Sequence, residues 1–456
     1  MTDKLKQNLT LGSLFSGSGG FELAGLLCGI KPLFSSEIEP FPIRVTTKRM
    51  PFIKHLGDIN KIDGSKIDPV DIITFGSPCQ NLSVAAKDKS GLDGEKSGIF
   101  YEAIRVIKEM RDKTNGKYPR YIVWENVRGA LFSSKGNDFL RVIKEIIKIK
   151  DCKFDVPKPE KWENSGLIMG EDFSVAWRLF DAQYWGVPQR RKRIYLVADF
   201  NGQRAGKILF ESEGVSGYSA ESFRAWQRAA GCTEAGSYKT GRICLNDQGG
   251  SRMDATEDVT CTLRAEARHP PVVLEHHPHD SRIRIIEDNV CQTLTNRMGT
   301  GGTLLPPVLQ NLGSSVYTSS KQDCHTILNQ SVAHKTCATD WKDPPIVYYE
   351  PYYIIRRITP TECARLQGFP DWWCSELETE EPTKEDIEFW MNVFEDHRRV
   401  VTKAKRKKSE KQIIKWLKNP YSDSAQYKMW GNGIALPNAL FVLAGIVWAS
   451  NLSDSD

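Results

Sequence analysis

The sequence predicts an α/β protein with a doubly wound, mostly parallel sheet and a smaller β-rich domain. Short β-rich segments alternate with helical ones through the first two hundred residues, a pattern typical of a parallel sheet with helices on both faces. Residues 200–350 are instead rich in Gly, Ser, Thr and Pro and show little helical periodicity. The length of 456 residues also exceeds that of one ordinary domain.

The composition argues against several classes of protein. Hydrophobic residues make up 40% of the chain, charged residues 26%, and the mean hydropathy is −0.42, which are values of a soluble globular protein. No run of about 18 apolar residues is present, and no apolar run follows the first lysines, so neither a membrane span nor a secretory signal is expected. The 11 cysteines contain no Cys-x-x-Cys pair, which argues against a zinc finger or a disulfide framework and favours the cytoplasm.

Two charged blocks of opposite sign follow each other near residue 397. Residues 376–396 contain nine acidic residues and one basic residue, whereas residues 398–418 contain ten basic residues and one acidic residue. Such blocks most often pair with each other on the surface, and a basic helix that contacts nucleic acid is the alternative. The net charge of +5 is compatible with an anionic partner but does not identify one.

The sheet is predicted from strand segments in the first two hundred residues. The first strand covers residues 11–15 and is followed by a glycine turn and a helix over 21–28. Further strands are expected at 31–37, 70–75, 121–125 and 193–198, with helices over 99–110 and 139–149. Ligands of such sheets bind beyond the carboxyl ends of the strands, so the loops there form the candidate site.

Helical segments return after residue 358. A helix is expected over 359–367, ended by Gly368, and a second one begins at the capping pair Thr383 and Asp386. The apolar segment 435–448 is too short to span a membrane, so we expect it to pack on the sheet.

A cysteine-containing pattern recurs within the β-rich region. It is centred on Cys261, Cys291 and Cys324, and each copy is followed by a Pro-Pro pair. The pattern indicates either a strand-and-loop unit used three times or a chance reuse of similar residues.

A glycine-containing loop joins the first strand to the first helix. Its residues let a ligand approach the backbone closely, and the helix amides can bind a carboxylate or a phosphate; they are Phe15, Ser16, Gly17, Gly19 and Gly20. A dinucleotide fingerprint would need a glycine where this chain has Glu22, so a pyrophosphate site is not expected. Alternatively, the turn is purely structural.

Two acidic residues follow the next strands. Glu37 comes at the end of the second strand, where a carboxylate can accept both hydroxyls of a ribose, and Asp58 follows a possible third strand, where it can accept an adenine amino group. A nucleoside that carries a carboxylate and no phosphate fits S-adenosylmethionine.

Three further positions carry reactive or charged groups. Cys79 follows an apolar strand and Pro78, which favours an exposed sulfur over an inert buried one. Glu125 ends another apolar strand, where burial would raise its pKa and suit it to proton donation, although such an acid can also cap a turn. Arg191 and Arg193 lie two residues apart at a strand entry, so they share a face and can bind an anion or a base carbonyl, or form surface charge.

Together these groups fit one chemistry. Cytosine C5 is a poor nucleophile until a thiolate adds to C6 while an acid stabilises N3. C5 then attacks a sulfonium methyl group, a base removes the C5 proton, and the cysteine leaves. The reaction needs a cysteine, a protonatable carboxylate, cationic donors and a methyl-donor pocket, and the sequence places each at a different strand end.

The sequence resembles the C5-cytosine DNA methyltransferases over nearly its whole length, with the family motifs in their usual order. The matching segments are Phe15–Gly20, Glu37, Asp58, Pro78-Cys79, Glu125-Asn126-Val127, Gln189 with Arg191 and Arg193, Arg365-Leu366-Gln367-Gly368-Phe369-Pro370, and Gly431-Asn432-Gly433. The resemblance implies the class I S-adenosylmethionine methyltransferase fold. It assigns catalysis to Cys79, Glu125, Arg191 and Arg193, and donor binding to the glycine loop together with Glu37, Ile38, Asp58, Ile59, Pro78 and Asn432.

The resemblance also implies a domain organisation. Residues 1–200, closed by 427–456, would form the catalytic and donor-binding domain, and residues 201–357 the target-recognition domain. Residues 358–375 would support the junction, and 376–426 would be a charged helical insertion of open role.

A mobile catalytic loop is expected at 80–98, with Lys87, Lys89 and Lys96 near phosphates and Gly91, Gly94 and Gly98 permitting closure.

Two departures from the family pattern stand out. Gly433 replaces a serine, which removes a hydroxyl near the donor, and Ile38 replaces an aromatic residue that would contact adenine.

The implied partner is double-stranded DNA, from which the target cytosine is flipped into the pocket. The chain is expected to act as a monomer, without a metal and without binding any cognate restriction endonuclease.

The run His276-His277-Pro278-His279 has no matching ligands nearby and does not indicate a metal site. An RNA-directed enzyme and a catalytically silent DNA-binding relative are the alternatives, and the sequence does not indicate the target site.

Overall fold

The computed structural model describes residues 9–77, 98–210 and 359–452, together with nine short strands between residues 243 and 357. The strands in the first 210 residues are β1 (Thr10–Leu14), β2 (Lys31–Ser36), β3 (Lys54–His55), β4 (Ile72–Phe75), β5 (Tyr121–Val127), β6 (Ser165–Met169), β7 (Ser174–Asp181), β8 (Gln189–Arg190) and β9 (Lys192–Asp199). The helices there are α1 (Gly20–Leu27), α2 (Pro40–Arg49), α3 (Gly98–Lys113), α4 (Asn137–Ile147) and α5 (Ala205–Phe210). The last part of the chain contains α6 (Pro360–Leu366), α7 (Lys384–His397), α8 (Glu410–Lys418), α9 (Asp423–Asn432) and α10 (Leu436–Ser450).

Eight strands form the central sheet in the order β3-β2-β1-β4-β5-β9-β7-β6. Strands β1 to β5 are parallel to one another, whereas β9 runs antiparallel to both β5 and β7, and β6 runs antiparallel to β7. The strand order reverses between β1 and β4, which is the switch point where such sheets bind ligands. The predicted doubly wound, mostly parallel sheet is confirmed.

The sheet is covered on both faces, which explains why its central strands β4 and β5 are largely apolar in the sequence. In β5, Tyr121 and Val123 join the core beneath α1, α5 and α10, while Ile122 and Trp124 join the core beneath α3 and α4. The predicted packing of the segment 435–448 against the sheet is confirmed, because most of α10 is buried in the first of these cores.

Local signals in the sequence determine the helix ends. A reciprocal cap between Thr383 and Asp386 starts α7, as predicted, and a second one between Thr359 and Glu362 starts α6. Gly368, in the left-handed region at φ 83°, follows α6 where the sequence predicts a stop.

The hairpin of β6 and β7 was not predicted from the sequence. β6 alternates exposed and half-buried residues and lies at the sheet edge, so its apolar signal is weak. Helix α5 also lies beyond the predicted domain boundary at residue 200, yet Ala205, Ile208 and Leu209 are fully buried in the core beneath α10. The packed body formed by the sheet and its helices therefore continues at least to Phe210.

The strands between residues 243 and 357 form sheets of five and three strands, and one of them pairs with β8. They are Ile243–Asp247, Met253–Glu257, Ile283–Ile286, Cys291–Gln292, Pro307–Asn311, Val316–Tyr317, Ile327–Leu328, Ile346–Val347 and Tyr353–Arg357. The predicted repeat around Cys261 lies outside the described residues. Cys291–Gln292 and Ile327–Leu328, from the second and third copies, belong to different sheets, so their strand pairing does not repeat.

No single helix in the described part of the chain is long and apolar enough to cross a membrane. Helices α9 and α10 meet that criterion only as a pair bent by 41°.

Candidate active site

The candidate site residues converge on one edge of the sheet. The glycine loop follows β1, Glu37 follows β2, and Gly76 and Ser77 follow β4. The antiparallel strand β9 begins at this same edge, where Arg193 lies opposite Val127 at the end of β5. The sequence therefore places an arginine at a strand entry and a carboxylate at a strand exit, and the sheet brings them together.

The glycine loop is held in a tight conformation. Phe15, Gly17 and Gly19 have positive φ values of 58°, 55° and 79°, and for Phe15 this is a strained backbone that its surroundings must stabilise. The Ser16 amide donates to the Ser36 carbonyl at 2.9 Å, which ties the loop to the end of β2. A Cβ on Gly17 would meet only the Phe15 carbonyl oxygen, 3.9 Å away, so the described residues leave this side of the loop open to a ligand.

Glu37 connects this loop to the next one. One carboxylate oxygen accepts a hydrogen bond from the Gly17 amide at 2.7 Å, and the other accepts from the amides of Ile38 and Glu39 at 2.7 and 2.9 Å. Burial raises the pKa of Glu37, and these three amides partly offset that rise. The half-buried carboxylate thus lies beside the open side of Gly17, where the sequence predicts a ribose contact.

Asp58 shapes the turn after β3. Its Oδ1 accepts hydrogen bonds from the amide and the side chain of Asn60 at 3.0 and 2.7 Å and so caps the short helix that begins at Ile59. Asp58 and Ile59 are both buried, with 5% of each exposed, and form the far wall of the same edge.

The loop that leads to the predicted nucleophile is fastened to β5. Asn126 Nδ2 donates to the Ser77 carbonyl at 3.3 Å, and Trp124 Nε1 approaches Ser77 Oγ at 3.4 Å. An ideal Cβ on Gly76 would lie 3.2 Å from Glu125 Oε2, which is a tight contact, so a side chain at position 76 would require the Glu125 carboxylate to move by a few tenths of an ångström. Pro78, Cys79 and most of the predicted catalytic loop lie outside the described residues, as does the histidine run at 276–279.

Glu125 and Arg193 form a nearly buried ion pair. Arg193 Nε lies 3.1 Å from Glu125 Oε1, and each side chain is 11% exposed. Burial raises the pKa of Glu125, and the charges of Arg193 and Arg191 partly offset that rise. The geometry therefore presents a carboxyl group that keeps a proton more readily than an exposed glutamate does.

Arg191 points elsewhere. Its guanidinium donates to the carbonyl of Gly433, and its amide donates to Asp181 Oδ1 at 3.0 Å. Arg191 is 1% exposed, so it fastens the segment Gly431-Asn432-Gly433, the closing motif, to the sheet edge, whereas Arg193 faces the Glu125 carboxylate. The two arginines were predicted to share a face; among the contacts of the described residues, Arg191 bonds to Gly433 and Asp181, whereas Arg193 pairs with Glu125.

The segment after α6 packs behind the glycine loop. Trp373 Nε1 donates to the Ser18 carbonyl at 2.9 Å, and a Cβ on Gly20 would lie 2.5 Å from Ile434 and 3.3 Å from Phe369. Asn432 is exposed at the end of α9, while Gly433 lies so near Ser18 that its Cβ would be 2.9 Å from Ser18 Oγ. The glycine loop, the segment after α6 and the closing motif are therefore one packed unit.

Glu22 is a buried acid next to the candidate site whose environment the sequence did not predict. It is fully buried beneath the glycine loop, where Oε1 accepts a hydrogen bond from Ser16 and Oε2 has no hydrogen-bond partner among the described residues. Burial raises its pKa from 4.5 to about 7. An acid in the first turn of a helix normally indicates only a favourable helix dipole, so the sequence carried no signal for this role.

The candidate residues fall into two neighbouring groups at this edge of the sheet. The glycine loop, Glu37 and Asp58 line one part of the edge, and the carboxyl group of Glu125 with Arg193 lies at the strand ends next to it. The described residues contain no group of three or more metal-ligating side chains.

Comparison with known proteins gives one family match. The model of the C-5 cytosine-specific DNA methylase family matches residues 9–386. The chain is 27% identical to a protein of Escherichia phage P1 named DNA N-6-adenine-methyltransferase, over 94% of this chain and 60% of that one. It is 31% identical to the type II methyltransferase M1.ScrFI of Lactococcus lactis subsp. cremoris over 45% of this chain and 42% of the relative, and 28% identical to M.HhaI of Haemophilus parahaemolyticus over 43% and 50%.

These matches span 42–60% of the length of the three relatives. Among solved structures, the S. pombe Dnmt2 methyltransferase aligns with 97% of this chain and all of its own, at 15% identity and a TM-score of 0.43. The Entamoeba histolytica methyltransferase EhMeth aligns with 98% of this chain at 12% identity and a TM-score of 0.46.

Proposed function

The chain belongs to the C-5 cytosine-specific DNA methylase family, and from this premise we propose that it methylates cytosine at C5 in double-stranded DNA. The observation that supports this most directly is the ion pair between Glu125 and Arg193 beside the loop that leads to Cys79. A direct transfer to an amino group needs neither a nucleophile nor an acid of this kind.

We propose that the Cys79 thiolate adds to C6 of a cytosine flipped out of the duplex. Ser77, two residues earlier, is fastened to the end of β5 by Asn126, which supports a position of the thiol near Glu125. Addition places negative charge on N3 and O2 of the ring, so C5 gains the nucleophilic character of an enamine. After C5 has taken the methyl group, a base removes the C5 proton, the electrons of that C–H bond expel the thiolate, and N3 returns its proton to Glu125, so the aromatic ring is restored.

Glu125 is proposed to protonate N3 during the addition of the thiolate to C6, while Arg193 donates to O2. The raised pKa of Glu125 supports this role, because a carboxyl group must hold its proton near neutral pH in order to give it to the ring. Arg191, which contacts Gly433 rather than the carboxylate, is proposed to position Arg193 and the closing motif.

The edge formed by the glycine loop, Glu37, Ile38, Asp58 and Ile59 fits S-adenosylmethionine as the methyl donor. The open side of Gly17 faces the half-buried carboxylate of Glu37, which would accept the ribose hydroxyls, and Asp58 would accept the adenine amino group. Pro78 and Asn432 would complete the pocket. When bound, this donor supplies a methyl group activated by a sulfonium.

Residues 211–357 are proposed to read the DNA sequence, because α5 before them belongs to the packed core, and residues 80–98 are proposed to close over the flipped base. The enzyme is proposed to act as a monomer and without a metal. Any restriction endonuclease with the same target would act separately.

A second candidate is methylation of adenine N6, favoured by the name of the phage P1 relative that aligns with 94% of this chain. The N6 amino group can attack the methyl donor directly, so this reaction would not depend on a thiol at position 79. The two candidates thus differ in one side chain.

The test is methylation of duplex DNA by the full chain, followed by mass spectrometry of the nucleosides. We expect 5-methylcytosine from the wild type and none from Cys79→Ala, and we expect a covalent adduct with a 5-fluorocytosine duplex from the wild type alone. N6-methyladenine made equally by both proteins would establish the second candidate. Methylation of RNA alone would favour an RNA-directed enzyme, and tight duplex binding without methylation would favour a silent DNA-binding relative.

A further inference from the structure

The helical insertion between residues 376 and 426 docks on helix α2, next to the proposed donor pocket. Its apolar side chains form a separate small core with Ile43 of α2; they are Trp390, Val393, Phe394, Ile413 and Leu417. Arg44, one residue further along α2, donates from Nε to the Leu377 carbonyl at 2.6 Å and lies 5.7 Å from the centre of the Trp390 ring. The insertion is therefore packed on the element that directly follows Glu37, Ile38 and Glu39.

The last two residues of α7 contact two different loops, 57–61 and 37–39, which line the proposed pocket for the methyl donor. Asp396 forms an ion pair with Lys61, in the turn that Asp58 caps, and its other oxygen lies 4.0 Å from the position of a Cβ on Gly57. The Asp396 carboxylate thus lies beside the residue that precedes Asp58. Lys61 and Asp396 are 47% and 19% exposed, so this pair alone adds little to global stability.

The neighbouring residue contacts the other loop. His397 Nε2 lies 3.3 Å from Glu39 Oε2, and Lys428 of α9 lies 2.7 Å from Glu39 Oε1. Burial alone would raise the pKa of Glu39, but His397 and Lys428 outweigh it, so its pKa lies below the ordinary value. The Glu39 amide in turn donates to Glu37 Oε1 at 2.9 Å, so the contact reaches the proposed ribose ligand through one residue.

We propose that Asp396 and His397 are positioning residues for the methyl donor. The end of α7 acts as a clamp that holds the loops 37–39 and 57–61 at a fixed distance from each other. The inference rests on the proposed function, because it takes these two loops as the walls of the donor pocket. It assigns a role to an insertion whose charge pattern alone suggested only surface pairing or a nucleic-acid contact. Because two adjacent residues contact separate loops, loss of both side-chain contacts should increase the mobility of the loops that line the proposed donor pocket. The catalytic groups proposed at the ends of β5 and β9 should stay in place.

The test uses the full chain with Asp396→Asn, His397→Gln and the double substitution. We expect the dissociation constant for S-adenosylhomocysteine, measured by calorimetry, to rise about five- to tenfold in the double variant, since loops that are no longer ordered must be ordered on binding. At saturating donor, kcat should stay within about twofold of the wild type. Glu388→Gln is the matched control, because Glu388 is an exposed acid on the same helix that contacts neither loop through any ion pair of the described chain.

Hydrogen exchange of the amides in 37–39 and 57–61 gives a second readout that needs no donor. Faster exchange there in the double variant, with unchanged exchange in the core strand β4, is the expected result. An unchanged dissociation constant with unchanged exchange would overturn the clamp, and so would an equal effect of Glu388→Gln. If the wild type binds no donor at all, the proposed function fails, and the exchange rates alone still decide whether the clamp exists.

Discussion

Arg193 Nε lies 3.1 Å from Glu125 Oε1, and this pair joins a strand entry to a strand exit at the sheet edge. The pairing exists because β9 runs antiparallel to β5, so the first residues of one strand lie beside the last residues of the other. The arginine favours the charged carboxylate, while burial favours the protonated one, and burial prevails.

The first prediction concerns the pH dependence of methyl transfer. If protonated Glu125 is required, activity should fall as the pH rises through its raised pKa. Arg193→Ala removes a charge that lowers this pKa, so the descending limb should move to higher pH, although kcat should also fall by about a hundredfold or more because a donor to the base is removed. Glu125→Gln should abolish the limb. A limb at the same pH in wild type and Arg193→Ala would remove Glu125 as the titrating group.

The second prediction concerns the ribose contact. Glu37→Gln should weaken donor binding, because a neutral amide is a poorer acceptor for two hydroxyls and also alters the acceptor for the Gly17 amide. We expect the dissociation constant for S-adenosylhomocysteine to rise at least about tenfold. An unchanged constant, with the folded state intact by circular dichroism, would take Glu37 out of the donor site.

Much of the sheet and its candidate site edge can be predicted from the sequence, because strands such as β4 and β5 are local apolar runs and the candidate residues lie at or near strand ends. The strand ends of a parallel sheet meet at one edge, so the convergence of Gly17, Glu37 and Glu125 follows from topology alone. Partners far apart in the chain cannot be predicted in this way. Trp373 contacts Ser18 across 355 positions, and the different partners of Arg191 and Arg193 depend on where the closing motif packs.

The third prediction concerns the buried carboxyl group of Glu22. The folded state keeps its proton up to about pH 7, whereas the unfolded chain releases it near pH 4.5, so stability is lost as the pH rises between these values. Glu22→Gln is neutral throughout and should not show this loss. Relative to the wild type, its free energy of unfolding in urea should rise on the order of 3 kcal/mol between those two pH values.

Glu388→Gln, an exposed substitution of the same kind, is the control for the Glu22 measurement. Parallel stability curves for the wild type and Glu22→Gln would contradict the buried proton. They would indicate instead that Glu22 is buried as an ordinary, ionised carboxylate.

The fourth prediction concerns Gly433 in the closing motif, which lies against Ser18. An ideal Cβ at position 433 would lie 2.9 Å from Ser18 Oγ and 3.2 Å from the Met429 carbonyl, so Ser18 occupies the space that a serine at 433 would need. Gly433→Ser alone should therefore destabilise the fold by about 1–3 kcal/mol through overpacking. Combined with Ser18→Ala, which removes the opposing hydroxyl, the same change should cost less, and urea denaturation of both single variants and the double variant measures the difference. Strict additivity of the two single effects would show that the hydroxyl and the glycine do not share this space.

The fifth prediction concerns the contribution of the basic block at 398–418 to the salt dependence of DNA binding. Only Arg398 and Lys407 form ion pairs there among the described residues, both with Glu395, while Lys403, Lys405 and Arg406 are exposed and form none. Pairing between the acidic and basic blocks is therefore minor, and the remaining charges are available to DNA phosphates. The triple change of Lys403, Lys405 and Arg406 to Gln should lower the slope of log affinity against log salt by about 0.9 for each phosphate that the protein no longer neutralises.

A second triple variant with Lys113, Lys153 and Lys158 changed to Gln removes the same charge from other exposed positions and should leave the slope unchanged. Equal slopes in the two variants would mean that the basic block is a solvated surface, because a general effect of net charge would act on both alike.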